Sequence, residues 1–199
     1  MKTIRVTFSL RSFFVGIAAG ATVLLLCGCT GPVRTSAGIG ASRTTGKAQG
    51  ESLTGDGMAV ALRGELVQPL SYLKDFEVGL RAGIVGHDAM AKPDGVDVDA
   101  EAGELSLAGV VRGYVPFGGI SFYGEGFAGY AHNWGTVVGG PIDVADDGGG
   151  LLVGAGAGVQ WQNGLHFGIE WSRRDFDLGP DVQIQTDDLM FVFGGVLRF

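Results

Sequence analysis

From Leu189 to Phe199 the side chains change character at every step. Leu189, Phe191, Phe193, Gly195, Leu197 and Phe199 form one apolar face; Met190, Val192, Gly194, Val196 and Arg198 form the other. A period of two puts successive side chains on opposite sides of an extended chain, so the pattern is a β-strand with one face in apolar surroundings. Seven further segments repeat it. Val33–Arg43 places Val33, Thr35, Ala37, Ile39 and Ala41 together; Met58–Val67 places Met58, Val60, Leu62 and Leu66 together; Phe76–Gly86 does so with Phe76, Val78, Leu80, Ala82 and Ile84. Glu104–Tyr114 aligns Leu105, Leu107 and Val111, and Ile120–Tyr130 aligns Ile120, Phe122, Ala128 and Tyr130. Leu151–Trp161 and Leu165–Arg173 complete the set. The expectation is an all-β chain of eight strands.

The links between these segments alternate in length. Short ones follow the second, fourth and sixth strands: 68–75, 116–119 and 162–164, the last containing the tight-turn pair Asn163-Gly164. Long polar ones follow the first, third, fifth and seventh: 44–57, 87–103, 131–150 and 176–187. Such alternation predicts an antiparallel up-and-down transmembrane β-barrel, with short turns on one side and longer loops on the other. An even strand count brings both barrel termini to one side. A soluble sandwich or a lipocalin-like barrel fits the same alternation, with the apolar faces inside and the polar faces in water.

The amino-terminal region bears on that choice. Lys2, Arg5 and Arg11 precede an apolar run from Phe13 to Leu26, the order of a secretory signal and too short for a comfortable spanning helix. Leu26-Cys27-Gly28-Cys29 resembles a bacterial lipobox. Gly28 supplies the small residue before Cys29, whereas Leu26 stands before Cys27. The resemblance implies a signal peptide over 1–28, acylation of Cys29 and an anchor segment over 29–32, ahead of a barrel over 33–199. Plain signal cleavage near Gly31 is the alternative. Thr30 stands where an acidic retention signal for the inner membrane would sit, so enteric lipoprotein sorting implies the outer membrane.

Without residues 1–28 the chain keeps eleven Lys and Arg against 21 Asp and Glu. That balance repels phosphates, which argues against nucleic-acid partners. With Cys27 removed and Cys29 acylated, no disulfide framework is expected. The 37 glycines are interleaved with Leu, Val, Phe and Trp, which opposes a disordered low-complexity reading.

Opposite the apolar faces lie Arg34, Arg63, Glu65, Glu77, Arg81, Glu104, Arg112, Tyr123, Glu125, His166, Glu170, Arg174 and Arg198, spaced by small residues. In a membrane barrel these would point into the lumen. An eight-stranded barrel is just wide enough for side chains to fill it. Arg and Glu in near-equal number would interlock there, because an unpaired charge in so narrow a space costs several kcal/mol. His166, Glu170 and Ser172 share a face and invite a catalytic reading. At about 3.3 Å per residue they stand roughly 7 Å and more apart, so they cannot form a triad among themselves. No catalytic residue, cofactor or metal site is expected. The long links are acidic, with Asp88, Asp94, Asp97, Asp99 and Glu101, then Asp143, Asp146 and Asp147, then Asp177, Asp181, Asp187 and Asp188. They lack a calcium-loop pattern and suit solvated external loops. Tyr130, Trp134, Trp171 and Phe176 are expected in an interfacial aromatic belt.

The run Gly154-Ala155-Gly156-Ala157-Gly158-Val159-Gln160-Trp161, with Leu165-His166-Phe167-Gly168-Ile169-Glu170-Trp171-Ser172-Arg173-Arg174-Asp175-Phe176, is similar to the late strands of the OmpA/Opa-like outer-membrane β-barrel superfamily. Gly118–Tyr130 resembles a middle strand of that family. Leu189–Phe199 resembles its closing strand, whose final aromatic residue is read by the barrel-assembly machinery; here that residue is Phe199. The resemblance implies an outer-membrane location with both barrel termini periplasmic and the long loops extracellular. It further implies a structural or surface-interaction role, in which the loops meet host surfaces or other extracellular ligands. A narrow solute or ion pore is the first alternative and a lipid-modifying enzyme the second, although the His-Ser arrangement of the lipid A deacylases is missing. The lipobox departs from the family habit of plain signal peptides. No peptidoglycan-binding segment follows the barrel pattern, so wall tethering is not expected.

Overall fold

A computed structural model describes residues 32–48, 51–91, 98–139, 142–177 and 182–197; Cys29, Arg198 and Phe199 lie outside them. Eight strands form one closed, wholly antiparallel barrel in which each strand pairs with its sequence neighbours and β8 closes on β1. They are β1 (Val33–Ala48), β2 (Glu51–Leu70), β3 (Leu73–Ala91), β4 (Val98–Phe117), β5 (Ile120–Gly139), β6 (Ile142–Trp161), β7 (His166–Asp177) and β8 (Val182–Leu197). The near end is where β1 begins and β8 stops; the far end carries the β1–β2, β3–β4, β5–β6 and β7–β8 connections. The fold class read from the alternation is the fold observed.

The long loops expected over 44–57, 87–103, 131–150 and 176–187 are corrected by the structure. Most of these residues continue the strands and stay in register, for example Thr44 with Gly55, His87 with Ala102 and Trp134 with Asp147. Hydropathic alternation records only where a sheet face meets apolar surroundings. The backbone ladder needs no such face and runs on beyond it.

At the near end two turns use glycine for a reason. Gly118 has φ 62° in the two-residue β4–β5 hairpin, a sign that L side chains rarely adopt. Gly164 has φ 88° between β6 and β7, where its N–H donates to the Trp161 carbonyl at 2.9 Å and Asn163 Oδ1 accepts from Leu165 N–H.

The outer wall is apolar and open. Leu80, Leu107, Val115, Phe122, Leu151, Phe191 and Phe193 are all about half exposed or more. On β4 this face runs from Leu105 to Phe117. That is roughly 40 Å of strand at about 3.3 Å per residue, which a 45° tilt shortens to roughly 28 Å, the height of a bilayer's apolar band. No soluble barrel leaves so continuous an apolar wall in water. The band stops at the far end on outward charges aligned across four strands. Arg43 Nε donates to Asp56 at 2.8 Å, Arg173 Nε donates to Asp187 at 2.8 Å, and Arg43 is also in register with Asp187. Tyr130, Trp134 and Trp171 face outward at this edge, and the Trp134 ring covers Gly103, where a Cβ would lie 2.5 Å from it.

Phe176 departs from the expected belt. It occupies an inward position on β7 and is buried against Phe127 and Leu152. Asp188, expected in a solvated loop, is also inward and only 1% exposed. One step of strand parity accounts for both, since Asp187 and Asp188 necessarily take opposite faces.

Candidate functional site: the charged lumen

The lumen is filled because large and small residues oppose one another across strands. On β5, Tyr123, Glu125 and Phe127 point inward; directly opposite on β6 stand Gly158, Gly156 and Gly154. A Cβ at Gly154 would sit 2.1 Å from Phe127 Cζ, and one at Gly168 on β7 would sit 2.4 Å from Tyr123 Oη. The β6 glycines are therefore the room into which β5 packs.

Four arginines and four glutamates form one connected network in the near half. Arg34 of β1 donates to Gln160 of β6 at 2.7 Å, to Glu77 of β3 at 3.2 Å and to Tyr114 of β4. The Tyr114 hydroxyl donates in turn to Glu77 at 2.7 Å. Arg112 of β4 donates to Glu65 of β2 at 2.9 Å, and its Nε donates to Glu125 at 2.7 Å. Arg81 of β3 reaches three carboxylates: Glu65 at 2.7 Å, Glu125 at 2.6 Å and Glu170 of β7 at 2.8 Å. Arg63 of β2 closes the chain on Glu170, with contacts of 2.7 and 3.0 Å. Arg81 and Glu65, Glu77 and Arg112, and Arg112 and Glu125 are direct register partners, so strand pairing itself brings opposite charges together. Arg81 also lies 4.4 Å above the Phe127 ring centre.

His166 is buried beside this network, edge-on to Tyr123 at 6.4 Å, and its Nδ1 makes no hydrogen bond. Arg174 belongs to a separate group nearer the far end, where it pairs with Glu104 and Asp188. Two apolar clusters pack beside the polar groups: Ala59, Ala61, Val85, Met190 and Val192, and Ala108, Val110, Phe127, Ala131, Leu152 and Phe176. In the near network a void of about 10 Å³, bordered by Ser36, Tyr123, His166 and Glu170, has room for about one water. Strand parity alone could have flagged Tyr114, Gln160, His87 and Asp188 as lumen residues. Which cation each carboxylate meets depends on the stagger of the closed barrel, which parity does not give.

No protein-family model matches the sequence, and neither does any curated protein. Among solved structures, the chain is similar to the Neisserial surface protein A, with TM-score 0.54 and 11% identity over 85% of this chain and 99% of that one. It also aligns with Ail, the attachment invasion locus protein of Yersinia pestis, at TM-score 0.43 and 18% identity, covering 85% of this chain and 100% of that one. OprG of Pseudomonas aeruginosa aligns at TM-score 0.44 and 14% identity, over 85% and 97% of the two chains. With eight staggered strands, an apolar wall and a filled polar interior, the chain has the fold of the small eight-stranded outer-membrane β-barrels.

Proposed function

We propose that this chain is a non-conducting outer-membrane barrel, lipid-anchored through Cys29, that serves as a structural support for a surface-interacting rim. The observation that carries the reading is the paired, filled lumen. Arg34, Arg63, Arg81 and Arg112 balance Glu65, Glu77, Glu125 and Glu170, and the void among them has room for about one water. A pore needs a continuous wet path, and a paired network has no free charge to line one. In this reading the far-end strand extensions stand outside the bilayer and meet host surfaces or other extracellular ligands. The near end faces the periplasm, where the acyl chain on Cys29 enters the inner leaflet and Phe199 is read by the assembly machinery.

The test is conductance of the purified chain in planar bilayers. The expected result is no stable opening, whereas regular open levels would overturn the plugged-lumen reading. Fatty-acid labelling of cells, lost in Cys29→Ser, tests the anchor separately.

A further inference from the structure

The near mouth of the lumen is closed by a cap built on one side chain. Arg34 of β1 reaches Gln160 of β6, Glu77 of β3 and Tyr114 of β4, and all four lie close to the near ends of their strands. Arg34 itself is only 2% exposed, whereas the Glu77 side chain, at the outer edge of the cap, is 20% exposed. Two residues further along β1, on the same face, Ser36 borders the void of about 10 Å³. Its inner side is closed by Val192 and by Arg81, whose guanidinium lies against the Phe127 ring.

The size, lining and charge balance of this void point to one occupant. About 10 Å³ is room for one water and for nothing larger. Voids that stay empty are lined by apolar groups, and this one is bordered by Ser36, Tyr123, His166 and Glu170. His166 is 5% exposed, and among the described residues its Nδ1 has no hydrogen-bond partner. A bare buried imidazole nitrogen forfeits the bond it makes in solvent. A water molecule restores that bond in either tautomer, because it both donates and accepts. An ion is disfavoured by count, since the four arginines of this layer already face four glutamates. Chloride or sodium here would leave a net buried charge.

We propose that the void is a binding site for a single water molecule, held on His166 Nδ1 and trapped behind the Arg34 cap. The water completes the hydrogen bonding of the near network and leaves only when the cap opens. The site rests on the filled lumen of the non-conducting reading, and on neither the lipid anchor nor the rim. Conductance reads a continuous path and the water signal reads an enclosed one, so the two claims fail separately.

The experiment uses the full chain refolded in detergent micelles. Oxygen-17 relaxation dispersion counts long-lived waters. Cross-relaxation from water locates one at the carbon-bound ring protons of His166, whose signals are those lost in His166→Gln. The parent is compared with Ser36→Val, which puts methyl groups into the void, and with Arg34→Met, which removes the cap. The expected result in the parent is cross-relaxation at the His166 ring that is the same at low and high NaCl. Ser36→Val should lose one long-lived water. Arg34→Met should exchange its water about tenfold faster or more, the effect of losing one or more net hydrogen bonds. A parent without that cross-relaxation overturns the proposal, as does a signal that salt displaces, which would make the occupant an ion. Equal dispersion in parent and Ser36→Val overturns the site, and an unchanged exchange rate in Arg34→Met overturns the trap. The first two readings are made on the parent, so they stand even where a variant does not fold.

Discussion

Replacing Arg81 with Met tests whether the near-end network holds the barrel together. Arg81 makes three charge-assisted hydrogen bonds, to Glu65, Glu125 and Glu170, at 2.6 to 2.8 Å. At about 1.5–3 kcal/mol each, their gross worth is roughly 4–9 kcal/mol. Their former partners are not abandoned, because Arg112 still reaches Glu65 and Glu125, and Arg63 still reaches Glu170. What remains is one excess buried negative charge and the lost contact with Phe127, so the expected cost is about 3–5 kcal/mol, that of breaking a buried pair. Adding Glu170→Gln to Arg81→Met restores charge balance and should recover part of that cost, which a double-mutant cycle reads directly. Urea unfolding from phospholipid vesicles supplies the free energies. Trp134, Trp161 and Trp171 all face outward and report the loss of lipid contact on unfolding. A cost below about 1 kcal/mol for Arg81→Met would mean that water screens the lumen, and the plug argument would fail.

Other perturbations probe the wall, the packing and the rim. Leu107→Arg on the outer face of β4 should cost about 2–4 kcal/mol in vesicles if this position meets hydrocarbon, whereas a water-facing site would be indifferent. Gly154→Ala should cost about 1–3 kcal/mol by driving a methyl into the Phe127 ring, and Phe127→Leu in the same chain should recover part of it; equal stability of Gly154→Ala and parent would refute the size-matching argument. At the rim, hydrogen bonds from Arg43 and Arg173 hold the Asp56 and Asp187 carboxyls below the usual carboxylate range. A depressed carboxylate stabilises the fold above its unfolded pKa and loses that effect as pH falls through the folded one. Amide protection around Asp187, taken relative to the intrinsic exchange rate at each pH, should therefore hold at neutral pH and fall only below about pH 4, and Asp187→Asn should remove that transition.

How much of this was legible depends on which physical constraint wrote the pattern. Lipid contact demands alternation, so Leu105, Leu107 and Val111, or Phe191 and Phe193, declare a strand and its outward face without any structure. Beyond the apolar band nothing demands it, and the strands from Thr44 onward read as polar loop although they remain paired. Readings that relied on composition in place of parity also failed. Phe176 looked like a belt residue and Asp188 like a loop acid, yet each sits one step from an outward neighbour and therefore points inward. In the lumen, residue type and face were readable for Arg63, Arg81, Glu125 and Glu170. The bond between Arg81 and Glu170 was not, since it crosses between strands separated by 89 positions in sequence.

The seam between β1 and β8 has a consequence for how such a chain can enter a membrane. Every other interface joins strands that follow one another; this one joins Val33–Ala48 to Val182–Leu197. Arg34 lies on β1 beside Glu65 of β2, yet its hydrogen-bond partners are on β3, β4 and β6, so it reaches those only when the sheet has curled. An open sheet lying in lipid would turn Arg34, Arg63 and Glu170 toward hydrocarbon, at about 2–4 kcal/mol for each arginine near the midplane. A half-built barrel in the bilayer is therefore not a resting place. Pairs between neighbouring strands, such as Arg81 with Glu65 and Arg112 with Glu125, form as the sheet grows, whereas the bonds of Arg34 across the lumen wait for the sheet to curl, so closing the seam completes the neutralisation of the interior.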